Sequence, residues 1–192
     1  MPSIGKQSAR RALDLALVFP GLLLLAPVLA AVAVLVKLTS PGPVLYVQER
    51  VGRFGIPFRV FKFRSMHVGS DRSGALVTGG GDPRVTPLGR WLRRTKLDEL
   101  PQIWNVLRGE MSLVGPRPLA EKEMQFCPAW RDARLKVRPG ITGLWQVSGR
   151  SKTSFHDWIR LDIEYVRERS LMLDLRILLR TLFIVFHSRG SF

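Results

Sequence analysis

Residues 15–36 read LALVFPGLLLLAPVLAAVAVLV, about 22 residues without a charge, close to the ~20 that cross the hydrocarbon core of a bilayer as a helix. Such a run belongs in lipid. A cleaved signal peptide has a shorter apolar core and small residues at a cleavage site, whereas this run passes through Lys37 into Ser40-Pro41-Gly42-Pro43 and is retained. Pro20-Gly21 and Ala26-Pro27 interrupt it; each proline removes a backbone donor and clashes with the preceding turn, which predicts a bend. Lys6, Arg10 and Arg11 precede the run and a basic chain follows it. The preference of cations for the cytoplasmic face then draws both flanks to one side, and a re-entrant helix-hairpin satisfies both. A kinked but spanning helix is the alternative. Either way the chain divides into a membrane anchor over residues 1–39 and a cytoplasmic domain over residues 40–192.

The 192 residues carry a net charge of +15, which draws polyanions of any kind: nucleic acid, anionic lipid or phosphorylated small molecules. No paired-cysteine finger, RNP-type aromatic signature or heptad behind a basic region accompanies the charge, so nucleic acid is not the expected partner. Cys127 is the single cysteine. No intrachain disulfide or cysteine-rich zinc site can form, and His67, His156 and His187 lack ligand spacing. No serine lies in a nucleophile-elbow pattern.

Beyond the Pro/Gly turn, Val44 to Gln48 and Phe58 to Arg64 are rich in β-branched and aromatic residues and read as a hairpin turning through Gly52-Arg53-Phe54-Gly55. Alternation places Phe61 and Phe63 on one face and sends Lys62 and Arg64 together off the other, away from the core. A solvated strand face has the same pattern. His67 to Pro87 is a long loop. Leu88 to Leu107 reads as a helix in two pieces, with Pro101 near the start of the second and Asp98-Glu99 in its first turn. Gly115-Pro116-Arg117-Pro118 and Arg138-Pro139-Gly140-Ile141-Thr142-Gly143 are rigid turns around a polar helical stretch. Phe155 to Arg167 and Leu171 to Phe186 are helices. Asp174, Arg176 and Arg180 argue against a second span; an interfacial helix on the bilayer and burial in the core both accommodate them. The fold class is therefore α+β and mostly helical: a re-entrant membrane helix-hairpin, a small β-hairpin and a helical domain with interfacial amphipathic helices.

Asp98 and Glu99 point roughly 100° apart on a helical wheel, so they do not share a proton as a protease dyad does. One carboxylate can attack phosphorus while its neighbour holds a magnesium ion that neutralises phosphate oxygens, with the helix N-terminus favouring phosphate. Acidic pairs in first turns also serve simply as caps. Arg93 and Arg94, about one turn upstream, add forks suited to phosphate.

Lys62-Phe63-Arg64-Ser65-Met66, Leu97-Asp98-Glu99-Leu100-Pro101-Gln102, Asn105 through Ser112, Val114-Gly115-Pro116-Arg117-Pro118 and Arg138 through Gly143 follow one another in an order that resembles the bacterial sugar transferases, the monotopic phosphoglycosyl transferases. The resemblance runs from Arg10 to about Phe186. It implies that Asp98 attacks the sugar-bearing phosphate of a UDP-sugar, releases UMP, and passes the phosphosugar to a polyprenyl phosphate such as undecaprenyl phosphate. It further implies a role for Glu99 in binding Mg2+, with Asp98 beside it, and phosphate-facing cations at Lys62, Arg93 and Arg117. Arg150, in Gln146 to Arg150, matches too, with donor binding and loop stabilisation both open. The family breaks its membrane helix at Ser-Pro, where this chain has Ala26-Pro27. Larger relatives carry further transmembrane helices ahead of this unit, and the chain resembles the minimal form. The implied place is the cytoplasmic face of the bacterial inner membrane, at the first membrane step of polysaccharide assembly.

Two other readings share the charge: a non-catalytic basic protein of the membrane surface, and a membrane phosphatase with water as acceptor. The motifs do not specify the sugar, and the apolar C-terminal helix suits a second copy of the chain as well as the bilayer.

Overall fold

The computed structural model describes residues 4–70, 82–124, 128–148 and 155–187. The first helix, α1 (Ile4–Thr39), is 36 residues long and contains both prolines; it is long and apolar enough to cross a membrane. Helical backbone is continuous through Pro20 and Pro27: a proline withholds one hydrogen bond but leaves the rest of the ladder in place, and the domain offers α1 a contact surface on both sides of them.

That surface is built on a β-hairpin. Strands β1 (Leu45–Val51) and β2 (Pro57–Phe63) pair antiparallel from Leu45↔Phe63 to Val51↔Pro57. The turn between them takes Phe54 and Gly55 to positive φ, and the Phe54 amide donates to the Leu135 carbonyl at 2.8 Å. Both faces of β2 are covered. Phe58 and Val60 join Val18, Ile103, Val106 and Met111 in one cluster, while Phe63 joins Val32, Val36 and Leu92 in another. The first half of α1 caps the former and the second half the latter. Its contact positions, Val18, Leu22, Leu25, Leu29, Val32 and Val36, recur every three or four residues and form one stripe. Away from that stripe Leu23, Leu24 and Leu38 are 80%, 78% and 77% exposed.

Polar ties hold each end of α1. Arg10 pairs with Asp174 at 2.8 Å, Arg11 donates to the Leu107 carbonyl at 2.8 Å, and Asp14 accepts from the Ser112 hydroxyl and the Leu113 amide. Past the other end, buried Arg64 donates to the Ser40 and Pro41 carbonyls. The expectation that Lys62 and Arg64 project together is thereby corrected. Arg64 still pairs through its amide with the Val44 carbonyl at 2.9 Å, but its side chain is held by the turn, while Lys62, on the face of Phe58 and Val60, goes to Glu99, so neither cation is solvated.

The next stretch departs from the expected pair of α-helices. Helix α2 (Pro87–Thr95) is capped by Thr86 and closes on Lys96 in the left-handed conformation. Residues Leu97–Gln102 then form a 3-10 segment with Pro101 inside it, before α3 (Ile103–Leu107). A proline at this position lacks the amide that an α-turn would use, and the tighter winding absorbs the change of direction.

The two rigid turns meet. β3 (Ser112–Val114) and β4 (Gly140–Thr142) pair in parallel, and the Gly140 amide donates to the Pro116 carbonyl at 2.9 Å. A β-carbon on Gly140 would lie 2.1 Å from the Gly115 nitrogen, so the backbones touch where no side chain fits. Short helices α4 (Glu121–Met124), α5 (Pro128–Arg134) and α6 (Leu144–Ser148) follow, then α7 (Phe155–Glu168) and α8 (Leu171–His187). Ile177 of α8 is buried with Tyr165 and Val114, while Leu179 and Phe183 are exposed. Core burial and outward exposure thus each describe one face of α8.

Replacing Gly140 with Ala should cost about 3 kcal/mol, because backbone rather than a yielding side chain occupies the space. Gly21→Ala meets nothing within 4 Å and should be neutral or stabilising by up to ~1 kcal/mol through helix propensity. Thermal unfolding of the two variants in detergent, side by side, measures the difference.

Candidate active site

Three separate backbone devices bring cations to the acidic pair. The first is β2, whose register opposite Tyr46 aims Lys62 at the 3-10 segment; its Nζ lies 3.0 Å from Glu99 Oε1. The second is the Pro116-Arg117-Pro118 turn, held against β4, from which an Arg117 nitrogen reaches the same Glu99 oxygen at 3.1 Å. The third is α2. Its residue Gly89 is so close to the end of β2 that a β-carbon there would lie 2.0 Å from the Ser65 carbonyl oxygen, and the Thr86 amide donates to that same oxygen at 3.1 Å. One turn later Arg93 Nε donates to the Ser65 hydroxyl at 2.9 Å.

Asp98 is buried, and its Oδ1 accepts no hydrogen bond among the described residues. Neither acid caps the segment that carries it: no side chain bonds to its N-terminus. Successive side chains in a 3-10 helix diverge by roughly 120°, so the two carboxylates look in different directions and meet different surroundings. The six-residue 3-10 segment is also too short to supply the dipole expected of a helix N-terminus, so side-chain cations provide the positive field here.

Their electrostatics separate accordingly. Burial, and then the charge of Glu99, push the Asp98 carboxyl up to about 6, against the pull of Lys62, Lys96 and Arg93. Burial works on Glu99 in the same sense, but Lys62 and Arg117 outweigh it and hold that carboxyl well below the usual range. Burial also lowers Lys62 and Arg93. One acid is thus a fixed anion spoken for by two cations. The other has a free oxygen and ionises near neutrality.

Lys62, Asp98, Glu99, Arg93 and Arg117, singled out from the sequence, converge on one place; Arg150 lies outside the described residues. Several supporting residues were not singled out. Arg134 donates to the Arg117 carbonyl at 2.8 Å and pairs with fully buried Asp162 at 2.6 Å, fixing the turn that presents Arg117. Asn105, fully buried, accepts from the Phe61 amide and donates to the Arg59 carbonyl and to Glu110, tying α3 to β2. Asn105 and Ser65 lie inside the quoted motifs, so their identity was in view. Arg134 and Asp162 give no sequence signal, because a buried pair is made by the packing of α5 on α7.

Two adjacent carboxylates are hard oxygen donors, and Asp98 Oδ1 is an unfilled acceptor. That donor set fits magnesium, which binds through one or two carboxylates together with substrate phosphates. No group of three or more His, Cys, Asp or Glu able to hold a metal occurs among the described residues, so an all-protein cage is not the arrangement.

The description "Bacterial sugar transferase" matches residues 5–188. The chain is 46% identical to the undecaprenyl-phosphate glucose phosphotransferase of Komagataeibacter xylinus, over 95% of this chain and 37% of that protein. It is 44% identical to the UDP-glucose:undecaprenyl-phosphate glucose-1-phosphate transferase of Escherichia coli K12, over 95% of this chain and 41% of that protein. With the exopolysaccharide production protein ExoY of Rhizobium meliloti it shares 39% identity, over 96% of this chain and 88% of that protein. The chain therefore spans about two fifths of the first two relatives and most of the third.

A raised acid favours the folded state only while protonated. The contribution of Asp98 is complete below its ordinary value of 3.8 and is lost as pH rises through about 6. In metal-free buffer Asp98→Asn should unfold at the same temperature as the parent near pH 4. It should be the more stable of the two at pH 8, by ~2–3 kcal/mol. Thermal melts across that range check the sign; a variant less stable than the parent at pH 8 contradicts the assignment of an unpartnered buried carboxylate.

Proposed function

Because the chain belongs to the bacterial sugar transferase family, we propose that it is a phosphoglycosyl transferase, moving a sugar-1-phosphate from a UDP-sugar to a polyprenyl phosphate through a covalent intermediate on Asp98. The observation that carries the proposal is the division of labour in the acidic pair: Glu99 engaged by Lys62 and Arg117, and Asp98 buried beside it with an oxygen unengaged.

In the first step Asp98 Oδ1 forms a bond to the sugar-bearing phosphorus, and the bond from that phosphorus to the bridging oxygen breaks, releasing UMP. In the second a phosphate oxygen of the polyprenyl acceptor bonds to the same phosphorus and the acyl–phosphate bond breaks, returning the Asp98 carboxylate. Lys62, Arg93 and Arg117 lie where the phosphate oxygens would gather negative charge, and a pre-organised cation acts there without reorganising. Asp98 and Glu99 would hold Mg2+ with the donor diphosphate, where the ion neutralises phosphate oxygens. Burial restricts water at Asp98, which favours transfer over hydrolysis.

Monotopic seating supports the access of a lipid acceptor. Arg11 and Val36 both touch the domain, one at α3 and the other in the cluster with Phe63 and Leu92, though they are about 38 Å apart along α1. A straight crossing of a ~30 Å hydrocarbon core would carry one of them out of reach. Entry and exit on one face, with α1's exposed leucines and the outward face of α8 in the lipid, keeps both contacts. The basic flanks support a seat for the domain on the cytoplasmic side of the inner membrane.

The full chain in detergent, given Mg2+ and a panel of UDP-sugars led by UDP-glucose but no acceptor, should gain the mass of one phosphosugar and release UMP. Asp98→Asn should do neither, and EDTA should suppress both. Intermediate formation should climb as pH rises through about 6, where Asp98 becomes an anion. Neither mass gain nor UMP across a broad panel would leave the reading of a non-catalytic basic surface protein.

A further inference from the structure

A second concentration of cations lies apart from the acidic pair. A cleft at the foot of α1 is lined by Gln7, Arg10, Asp14, Arg53, Arg138 and Arg169, among others, and none of its lining residues belongs to the group around Glu99. Its acids are already engaged. Asp14 accepts from Ser112 and Leu113, and Asp174 behind it takes Arg10 and the Tyr165 hydroxyl. Arg53 donates to Gln7 at 2.9 Å and lies over the Phe54 ring. Arg138 and Arg169 have neither hydrogen bond nor ion pair among the described residues, yet both are half-buried. Burial, then the neighbouring arginines, lower both: Arg11 and Arg53 act on Arg138 against Asp14, and Arg10 and then Arg53 act on Arg169 against Tyr165 and Asp174.

Such an arrangement is electrostatically incomplete. Guanidinium groups withdrawn from water require a counter-charge, and the cleft supplies more arginines than carboxylates. Planar forks converging from the β4 approach and from the end of α7 suit a tetrahedral oxyanion that accepts paired hydrogen bonds. We propose that this cleft is a second anion site, which binds a phosphate group between Arg138 and Arg169 independently of the transfer reaction. Two sources share that chemistry, the headgroup of an anionic phospholipid and a soluble phosphate. Gln7 and Arg10 precede the apolar run that starts at Leu15, and Leu171 and Met172, next to Arg169, are exposed, so both sources have access.

The test uses the full chain in detergent with two probes, inorganic phosphate and phosphatidylglycerol in mixed micelles, with phosphatidylcholine as the uncharged reference. Binding is read by native mass spectrometry and by the rise in melting temperature. Arg138→Gln/Arg169→Gln should weaken binding of at least one probe five-fold or more, whereas Arg131→Gln/Arg160→Gln, which removes the same charge from exposed positions, should not. The catalytic cations are intact in all three proteins, so the difference reports the cleft alone. Loss confined to phosphatidylglycerol identifies a headgroup site, and loss confined to inorganic phosphate a soluble ligand; loss of both identifies phosphate in general. Equal weakening in both double variants, or none in either, overturns the proposal. Without anion the cleft variant should melt no lower than the parent, since it relieves like-charge repulsion. Should it fail to fold, Arg138→Lys/Arg169→Lys decides instead: charge is kept but the fork is lost, and binding must still fall at least three-fold. UMP release by these variants is a separate readout, so failure here leaves the transfer reaction untouched.

Discussion

Two neighbouring carboxylates can be buried only if at least one of them is given cations, and the architecture around Asp98 and Glu99 follows from that requirement. Lys62 and Arg117 arrive on the same Glu99 oxygen from a strand and from a proline-bounded turn. Neither residue is near Glu99 in sequence. Each has to be held in place by its own backbone: the β1–β2 register for one, the β3–β4 pairing and the Arg134–Asp162 pair for the other. A long cation on an unconstrained loop would lose most of its attraction to the entropy of being ordered. The cost of burying charge is thus met by rigid elements, and Asp98 is left as the group whose ionisation is still open.

The same economy explains the glycines that matter. Gly89 lets α2 approach the Ser65 carbonyl, and Gly115 and Gly140 let two turns meet backbone to backbone. In each case a side chain would push a cation-bearing element away from the acids. Packing here serves placement more than core volume.

Helix α1 follows a different logic. It carries a stripe of contacts that spans both hydrophobic clusters and leaves bare leucines elsewhere. A helix exposing so much apolar surface has a reason to do so. The stripe joins that surface to the element that bears Lys62, because β2 is sandwiched between the two clusters. Seating of the helix and alignment of the site are therefore coupled through one strand.

Much of this was legible before any coordinates. The apolar run, the hairpin, the helices near the C-terminus and the acidic pair follow from local composition and periodicity, which act over a few residues, whereas the assignment of the three cations to the site came only from the family resemblance carried by the order of the motifs. What local signals misjudged shares a physical origin: the outcome was set by distant partners. Arg64 is buried rather than solvated, because its side chain satisfies the carbonyls of a turn some twenty residues earlier. Asp98 and Glu99 begin a 3-10 segment rather than an α-helix. The sequence by itself determined which residues are acidic, basic, apolar or rigid, and so which chemistry is available. Only the tertiary structure decided which carboxylate is neutralised and which keeps a free oxygen, because that depends on burial and on cations brought within about 3 Å from remote parts of the chain.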